Sequence, residues 1–216
     1  MEIRRFVVSP IQANCYVLSE SLDKGARAVI VDPGDTDLTQ VFTYIDDHEF
    51  KVEANWNTHA HFDHVLGVDI VRDKYHCPSY LHPDDQGVWD ATPASTQQWI
   101  QRNVEPLNAP DEYYRDGDTV NLAGEVFTIW HTPGHSPGGV CLVGREFALT
   151  GDTLFRGTVG RTDLPKASPG AMDASLKRIL EWDDNLVIYP GHGESTTFGV
   201  EREHNRFLRI AARGGE

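Results

Sequence analysis

The sequence predicts an α/β (α+β) protein in which two mixed β-sheets pack face to face with helices outside. Two observations carry this. Short apolar runs bounded by Gly, Pro and Asp alternate with stretches of helical spacing. Each half of the chain also runs strands, a helix, then a strand that enters a His-bearing loop, which suggests a duplicated sandwich. No linker or low-complexity segment interrupts the 216 residues. One domain over residues 1–216, with a substantial core, is therefore expected.

The opening MEIRRFVVSPIQANCYVL (1–18) is broken by Pro10, Gln12 and Asn14, and reads as strands rather than a secretory leader. NCYVLSE (14–20) and ARAVIVDPG (26–34) form two strands joined around Asp23-Lys24-Gly25. The run VIVD (29–32) stops at Pro33-Gly34, as a buried strand does where it meets a loop. Leu38, Val41, Phe42 and Ile45 then recur at helical spacing, with Thr36 or Asp37 available as a cap. KVEANWN (51–57) is a strand, and DHVLGVDIVRDKY (63–75) a helix with Val65, Val68 and Val71 on one side. CPSYLH (77–82) is a short strand. Residues 83–110, polar and interrupted by prolines, read as irregular cover with one helical piece.

The second half is strand-rich. DTVNLAG (118–124) and EVFTIWHTPG (125–134) predict a hairpin, and GGVCLVG (138–144) and EFALTGD (146–152) two more strands. Residues 168–182 predict a helix around Leu176, Ile179 and Leu180, with Ser168 capping and Pro169 in the first turn. NLVIYPGHG (185–193) is another strand. A last helix is expected over about 196–212, with Val200, His204, Phe207, Leu208 and Ala211 along one side.

Composition narrows the function classes. With 33 acidic residues against 19 Lys plus Arg, the formal charge is −14, and such a chain repels a polyanionic backbone. No nucleic-acid partner is expected. No run of about 18 apolar residues occurs, so no membrane span is expected either. Cys15, Cys77 and Cys141 are odd in number and far apart, which fits a reducing, cytoplasmic setting better than a disulfide framework.

The chemistry concentrates in NTHAHFDHVLG (57–67). His59, His61, Asp63 and His64 place four metal-type side chains in six positions, between a strand and a helix. In an extended start, residues two apart point the same way, so His59 and His61 can hold one ion. Asp63 and His64 turn away with the helix and can serve a second. Partners follow at three later strand ends: His135 after EVFTIW, Asp152 after REFAL, and His192 after NLVIY. The expected grouping is His59, His61 and His135 on one metal, Asp63, His64 and His192 on the other, and Asp152 bridging both through its two oxygens. Mixed imidazole and carboxylate donors suit two divalent ions, zinc foremost, with iron or manganese also accepted. His48, His76, His82 and His204 lie outside this pattern, and His131 stands near it, four residues before His135. No Cys lies near the loop histidines except Cys141, inside a strand, so a Cys–His nucleophile is excluded.

These residues resemble the metallo-β-lactamase-fold hydrolases, and within them the short, single-domain, glyoxalase II-like bacterial branch. The resemblance runs over about residues 5–208, through NCYVL, VDPG, THAHFDHVLG, HTPGHSPGGV, TGDTLFRGTVGRTDLP and YPGHGESTTFGVEREHN. It implies an αββα sandwich with the metals at one edge between the sheets. It also implies a dinuclear thioesterase that uses a metal-bridging hydroxide on S-lactoylglutathione or a related small-molecule acyl thioester. In such an enzyme Asp63 and Asp152 are the catalytic carboxylates, Asp63 orienting the nucleophile as well as binding metal. Arg161 stands where relatives carry a basic residue for the glutathione carboxylate, with Arg156 as a weaker candidate. The chain departs from the longer enzymes at Asp163, where they have an aromatic residue, and at Gly193-Glu194, where they have a tyrosine. Their C-terminal helical domain with its glutathione-binding cations has no counterpart in these residues, so much of that grip is expected to be missing. Persulfide dioxygenases, with one iron on His59, His135 and Asp152, and lactonases are the alternative activities on this fold. The sequence leaves the oligomeric state open.

Overall fold

A computed structural model describes residues 1–214. The first sheet takes its strands in chain order: β1 (Glu2–Val8), β2 (Ala13–Ser19), β3 (Arg27–Val31), β4 (Lys51–Trp56), β5 (Ser79–Leu81) and β6 (Glu112–Tyr113). β1, β2 and β3 pair antiparallel, and β3 to β6 pair parallel. Parallel neighbours need crossovers. These are α1 (Thr39–Asp47), then α2 (Phe62–Val65) with α3 (Val68–Tyr75), then α4 (Gln86–Trp89) with α5 (Thr92–Ile100). The remaining strands are β7 (Thr119–Leu122), β8 (Glu125–His131), β9 (Val140–Val143), β10 (Phe147–Gly151), β11 (Leu154–Phe155), β12 (Thr158–Val159), β13 (Val187–Pro190) and β14 (Thr196–Thr197). The second sheet runs β14-β13-β10-β9-β8-β7, and β11 with β12 forms a separate ribbon. α6 (Pro169–Ile179), α7 (Phe198–His204) and α8 (Arg206–Ala212) complete the chain. No helix among the described residues is long and apolar enough to cross a membrane.

The central strands are buried on both faces, which is why they read as unbroken apolar runs. Tyr16, Leu18, Val29 and Val31 meet Phe127, Ile129, Leu142 and Leu149 between the sheets. Their neighbours Cys15, Val17, Ala28 and Ile30 face outward onto Leu38, Val41 and Ile45 of the first helical layer. On the other side Cys141, Ala148 and Ile188 pack under Met172, Leu176 and Ile179 of α6 and Leu208 and Ala211 of α8. Each fully buried side chain of this size contributes about 1.5–3 kcal/mol. The expected sandwich with outer helices is thus present.

Local chemistry accounts for the element ends. Ser168 Oγ accepts from the Ala171 amide at 3.2 Å, with Pro169 in the first turn of α6, as the sequence predicts. The β7–β8 hairpin turns through Ala123 and Gly124, both left-handed (φ 56° and 92°), the pattern of a two-residue primed turn. Leu38 is the N-cap of α1, but Asp37 Oδ1 accepts from the Thr39 amide at 3.1 Å, so one of the two expected caps serves the first turn.

Three expectations need correction. The helix expected over 63–75 is two helices, because the Gly67 amide donates to Pro33 O at 2.7 Å instead of continuing the ladder. A Cβ on Gly67 would lie 2.5 Å from Asp35 O and 2.6 Å from Leu38 Cδ1, and one on Gly34 would collide with the Asp63 carbonyl. The loop after β3 is therefore wedged against the start of α2, and this wedge sets the break. The last helix is also divided: Asn205 is extended (φ −73°, ψ 116°). Its Nδ2 donates to Thr158 O and Glu201 Oε2, and its Oδ1 accepts from the Phe207 amide. Val200 and His204 consequently do not share the buried side of Leu208 and Ala211 and are exposed, whereas Phe198 and Glu201 are buried. Finally, the single helical piece expected in residues 83–110 is a 3-10 turn followed by α4 and α5.

Candidate metal centre

Five strand ends converge. β3 ends at Asp32, β4 runs into the loop holding His59 and His61, and β8, β10 and β13 deliver His135, Asp152 and His192. β10 and β13 are parallel neighbours, as are β3 and β4, so their C-terminal ends share an edge. The sheets are joined there by the Val140 amide, which donates to Thr58 O at 2.9 Å.

All seven candidate side chains meet at this edge, six of them in two triads. Ligand atoms of His59, His61 and His135 lie within 4.8 Å of one another, and so do those of Asp63, His64 and His192. His61 Nδ1 is 2.8 Å from His135 Nε2. In the second triad His192 Nε2 and His64 Nε2 lie 3.2 and 3.4 Å from Asp63 Oδ2. Asp152 stands between the triads: Oδ2 is 3.2 Å from His135 Nε2 and 3.6 Å from His192 Nε2, and Oδ1 is 3.5 Å from His64 Nε2.

The donor set fits divalent cations. His59 Nε2 and Asp152 Oδ1 are buried and make no hydrogen bond. Such atoms are costly unless something electropositive answers them. On His59, His64, His135 and His192 the far ring nitrogen is held by an acceptor, which fixes the tautomer and leaves Nε2 as a lone-pair donor, whereas His61 faces the centre through Nδ1. His135 Nδ1 donates to Arg161 O at 2.8 Å, and His192 Nδ1 to Gln12 O at 3.1 Å. His64 Nδ1 donates to Asp32 Oδ2 at 2.9 Å. The Thr58 hydroxyl donates to that same Asp32 oxygen at 2.6 Å and accepts from His59 Nδ1 at 3.1 Å. One buried carboxylate, on a left-handed backbone (φ 52°), thus orients one histidine of each triad.

Electrostatics separate the ligands by charge. Burial pushes His59 well below the ordinary imidazole range, and its histidine neighbours push the same way. Burial and His135 hold His61 down to about 4. For Asp63 burial works against ionisation, but His64 and His192 outweigh it and hold the carboxyl below its usual range. Asp152 is held at about 2, with His64 and His135 outweighing burial. His64 is the reverse case: burial lowers it, yet Asp63, Asp152 and Asp32 carry it well above the usual value. Ionised Asp63 and Asp152 face neutral His59 and His61, while the carboxylates hold protons on His64, His135 and His192, which a bound cation would displace.

Several supports were not read from the sequence. Asn14 Nδ2 donates to Pro190 O and Gly193 O, both at 2.9 Å, and Tyr16 OH donates to Pro190 O at 2.7 Å. β2 thereby clasps the His192 loop. Asp85 accepts from the amides of Ala60 and Gly138 and from Ser136 Oγ. NCYVL shows a strand but not which carbonyls its Asn meets, and Asp85 lies in a stretch with no periodicity. His131 is outside the centre, stacked on His82 with ring centroids 3.9 Å apart.

A cavity of about 500 Å³ opens beside the triads. Arg161 lines it, with its guanidinium paired to Asp163 at 2.7 and 2.8 Å and lying over the Trp99 ring. Arg156 is exposed in the β11–β12 turn and does not line the cavity.

Residues 8–192 match the family model of the metallo-β-lactamase superfamily. The chain is similar to the crystal structure of BLEG-1 B3 metallo-β-lactamase, with 33% identity, a TM-score of 0.88 and coverage of 96% of this chain and 99% of that one. It is similar to TTHA1623 in a di-iron-bound form, with 34% identity, a TM-score of 0.83 and coverage of 94% and 99%. The hydroxyacylglutathione hydrolase GloC of Haemophilus influenzae is 30% identical over 213 residues, which span 96% of this chain and 98% of that protein.

Proposed function

Because the chain belongs to the metallo-β-lactamase superfamily of metal-dependent hydrolases, we propose that it is a dinuclear hydrolase of acyl thioesters, of the hydroxyacylglutathione hydrolase kind. The observation that carries this is Asp152, whose two oxygens reach members of both triads. His59, His61 and His135 would hold one ion and Asp63, His64 and His192 the other, with Asp152 shared. Zinc is the first expectation and iron or manganese the alternatives; the di-iron relative supports keeping iron open. When bound, such ions generate a hydroxide nucleophile near neutral pH and polarise the carbonyl.

The chain's own residues do the rest. Asp32 and Thr58 hold His59 and His64 in the required tautomers. Asp63, ionised and buried, can orient a nucleophile by accepting its hydrogen. Phe62 and Phe155 line the cavity beside the triads and offer apolar surface to the acyl thioester. A thiolate leaves without a strong acid, so no further proton donor is required. A single-iron oxygenase would use only His59, His135 and Asp152, and the number of metals bound per chain separates the two readings.

The test is elemental analysis of the natively loaded protein together with turnover of S-lactoylglutathione, simple acyl thioesters, a lactone, a β-lactam and glutathione persulfide. Two metals per chain and thioester cleavage abolished by Asp152→Ala are expected. One iron per chain with oxygen uptake, or β-lactam cleavage without thioester cleavage, would overturn the proposal.

A further inference from the structure

The cavity beside the triads is lined mainly by apolar groups, among them Phe62, Val88, Trp99, Phe155 and Leu164. Its two cationic side chains are Arg161 and Lys166. They are not equivalent. The Arg161 guanidinium is gripped in bidentate fashion by Asp163, the residue at which this chain departs from the longer glyoxalase II-like enzymes. The Nε and Nη2 donors of Arg161 are therefore already occupied within the protein, in a pair that stays exposed. Lys166 has no acidic partner within ion-pair distance among the described residues. Its ammonium lies against Gly87 at the start of α4, in space that a Cβ would fill. An apolar cavity with the metal-type cluster on one side and one unanswered cation on its wall is complementary to an apolar ligand bearing one anionic group.

We propose that Lys166 and this wall select acyl thioesters whose apolar arm ends in a single carboxylate, the carboxylate on Lys166 Nζ and the thioester at the triads. This rests on the thioesterase proposal above. The carboxylate can belong to the acyl arm or to the thiol arm, and two probe pairs separate them. S-benzyl monothioglutarate carries it on the acyl side, and 3-(phenylacetylthio)propionate on the thiol side; each is paired with its methyl ester.

In the wild-type protein one acid is expected to show a KM lower than its own methyl ester by about two- to fivefold, the worth of one ion pair at an exposed lysine. Lys166→Met closes that gap, and the effect falls in KM rather than kcat. Gly87→Ala keeps the lysine but pushes its ammonium aside, and closes the gap too. A readout free of turnover is the quenching of Trp99 fluorescence by 4-phenylbutyrate against 4-phenylbutyramide, with Trp99→Phe identifying the signal. The acid binds more tightly, and Lys166→Met removes the difference. Equal KM for acids and esters in the wild type, or a preference that survives Lys166→Met and disappears in Arg161→Gln, overturns the proposal while leaving the thioesterase reading intact. Failure to cleave any thioester, with Lys166-dependent binding of 4-phenylbutyrate, overturns the thioesterase reading and keeps the recognition chemistry.

Discussion

Asp85→Asn isolates one feature of the centre, the carboxylate that ties its two histidine loops together. Asp85 is completely buried. Its Oδ2 accepts from the Ala60 amide at 2.8 Å and from Ser136 Oγ at 3.0 Å, and its Oδ1 accepts from the Gly138 amide at 2.5 Å. Ala60 sits between His59 and His61, and Ser136 follows His135, so one side chain from the β5–β6 crossover joins both loops of the first triad. An asparagine presents an oxygen to one side only. It can keep Ala60 and Ser136 but then turns its NH₂ toward the Gly138 amide, leaving two buried donors facing each other unpaired, at about 1–3 kcal/mol each. Alanine would strand all three donors at about 3–9 kcal/mol, comparable to the whole stability of a domain, so it would report only unfolding. The expected result for Asn is a folded protein with a lower urea midpoint, an unchanged m-value and a loss of about 2–6 kcal/mol. Affinity for one of the two metal equivalents should fall by about 10–100-fold, the usual effect of a misplaced supporting group, with the other equivalent less affected. Competition with a chromogenic chelator measures both. A variant with the wild-type midpoint and both affinities intact would refute the positioning role.

Three further outcomes are expected. Asp32→Asn should weaken both metal sites together, because Oδ2 supports His64 directly and His59 through Thr58; a chelator titration showing loss at one site alone would contradict the shared role. Gly34→Ala should lower Tm, since its Cβ meets the Asp63 carbonyl and overpacking against backbone costs about 1–3 kcal/mol or more; an unchanged melting curve would show that the loop after β3 yields freely. His82 is held down to about 4 by burial and by His131, against Asp84 and Asp116. A depressed histidine favours folding above its ordinary value near 6.5 and loses that contribution as pH falls toward 4. His82→Gln should therefore flatten the decline of Tm between those limits, and an unaltered slope would rule the group out as its source.

Where the sequence was legible, side chains repeat with the period of their element or crowd into a short span. The strands around Val29–Val31 and Ala148–Leu149 announce themselves because both faces are buried. The breaks at Gly67 and Asn205 do not, because each is set by a partner distant in sequence: Pro33 O for the Gly67 amide, Thr158 O for the Asn205 side chain. Helical spacing of Val200 and His204 with Leu208 was real as a pattern but crosses such a break, so it marked the wrong side. The same limit hid Asp32, Asp85 and Asn14, whose contributions lie in hydrogen bonds across 26, 53 and 176 positions.

By itself the sequence determined the layered fold and singled out seven candidate metal-ligand side chains and their grouping, because apolar period and residue chemistry are local properties of a chain. Only the tertiary structure decided the distances within and between those groups, that Asp32 and Asp85 brace their histidines, and that Asp163 pairs with Arg161 while Lys166 lines the cavity. Distances and charge pairing are properties of folded neighbours, and no local pattern encodes them.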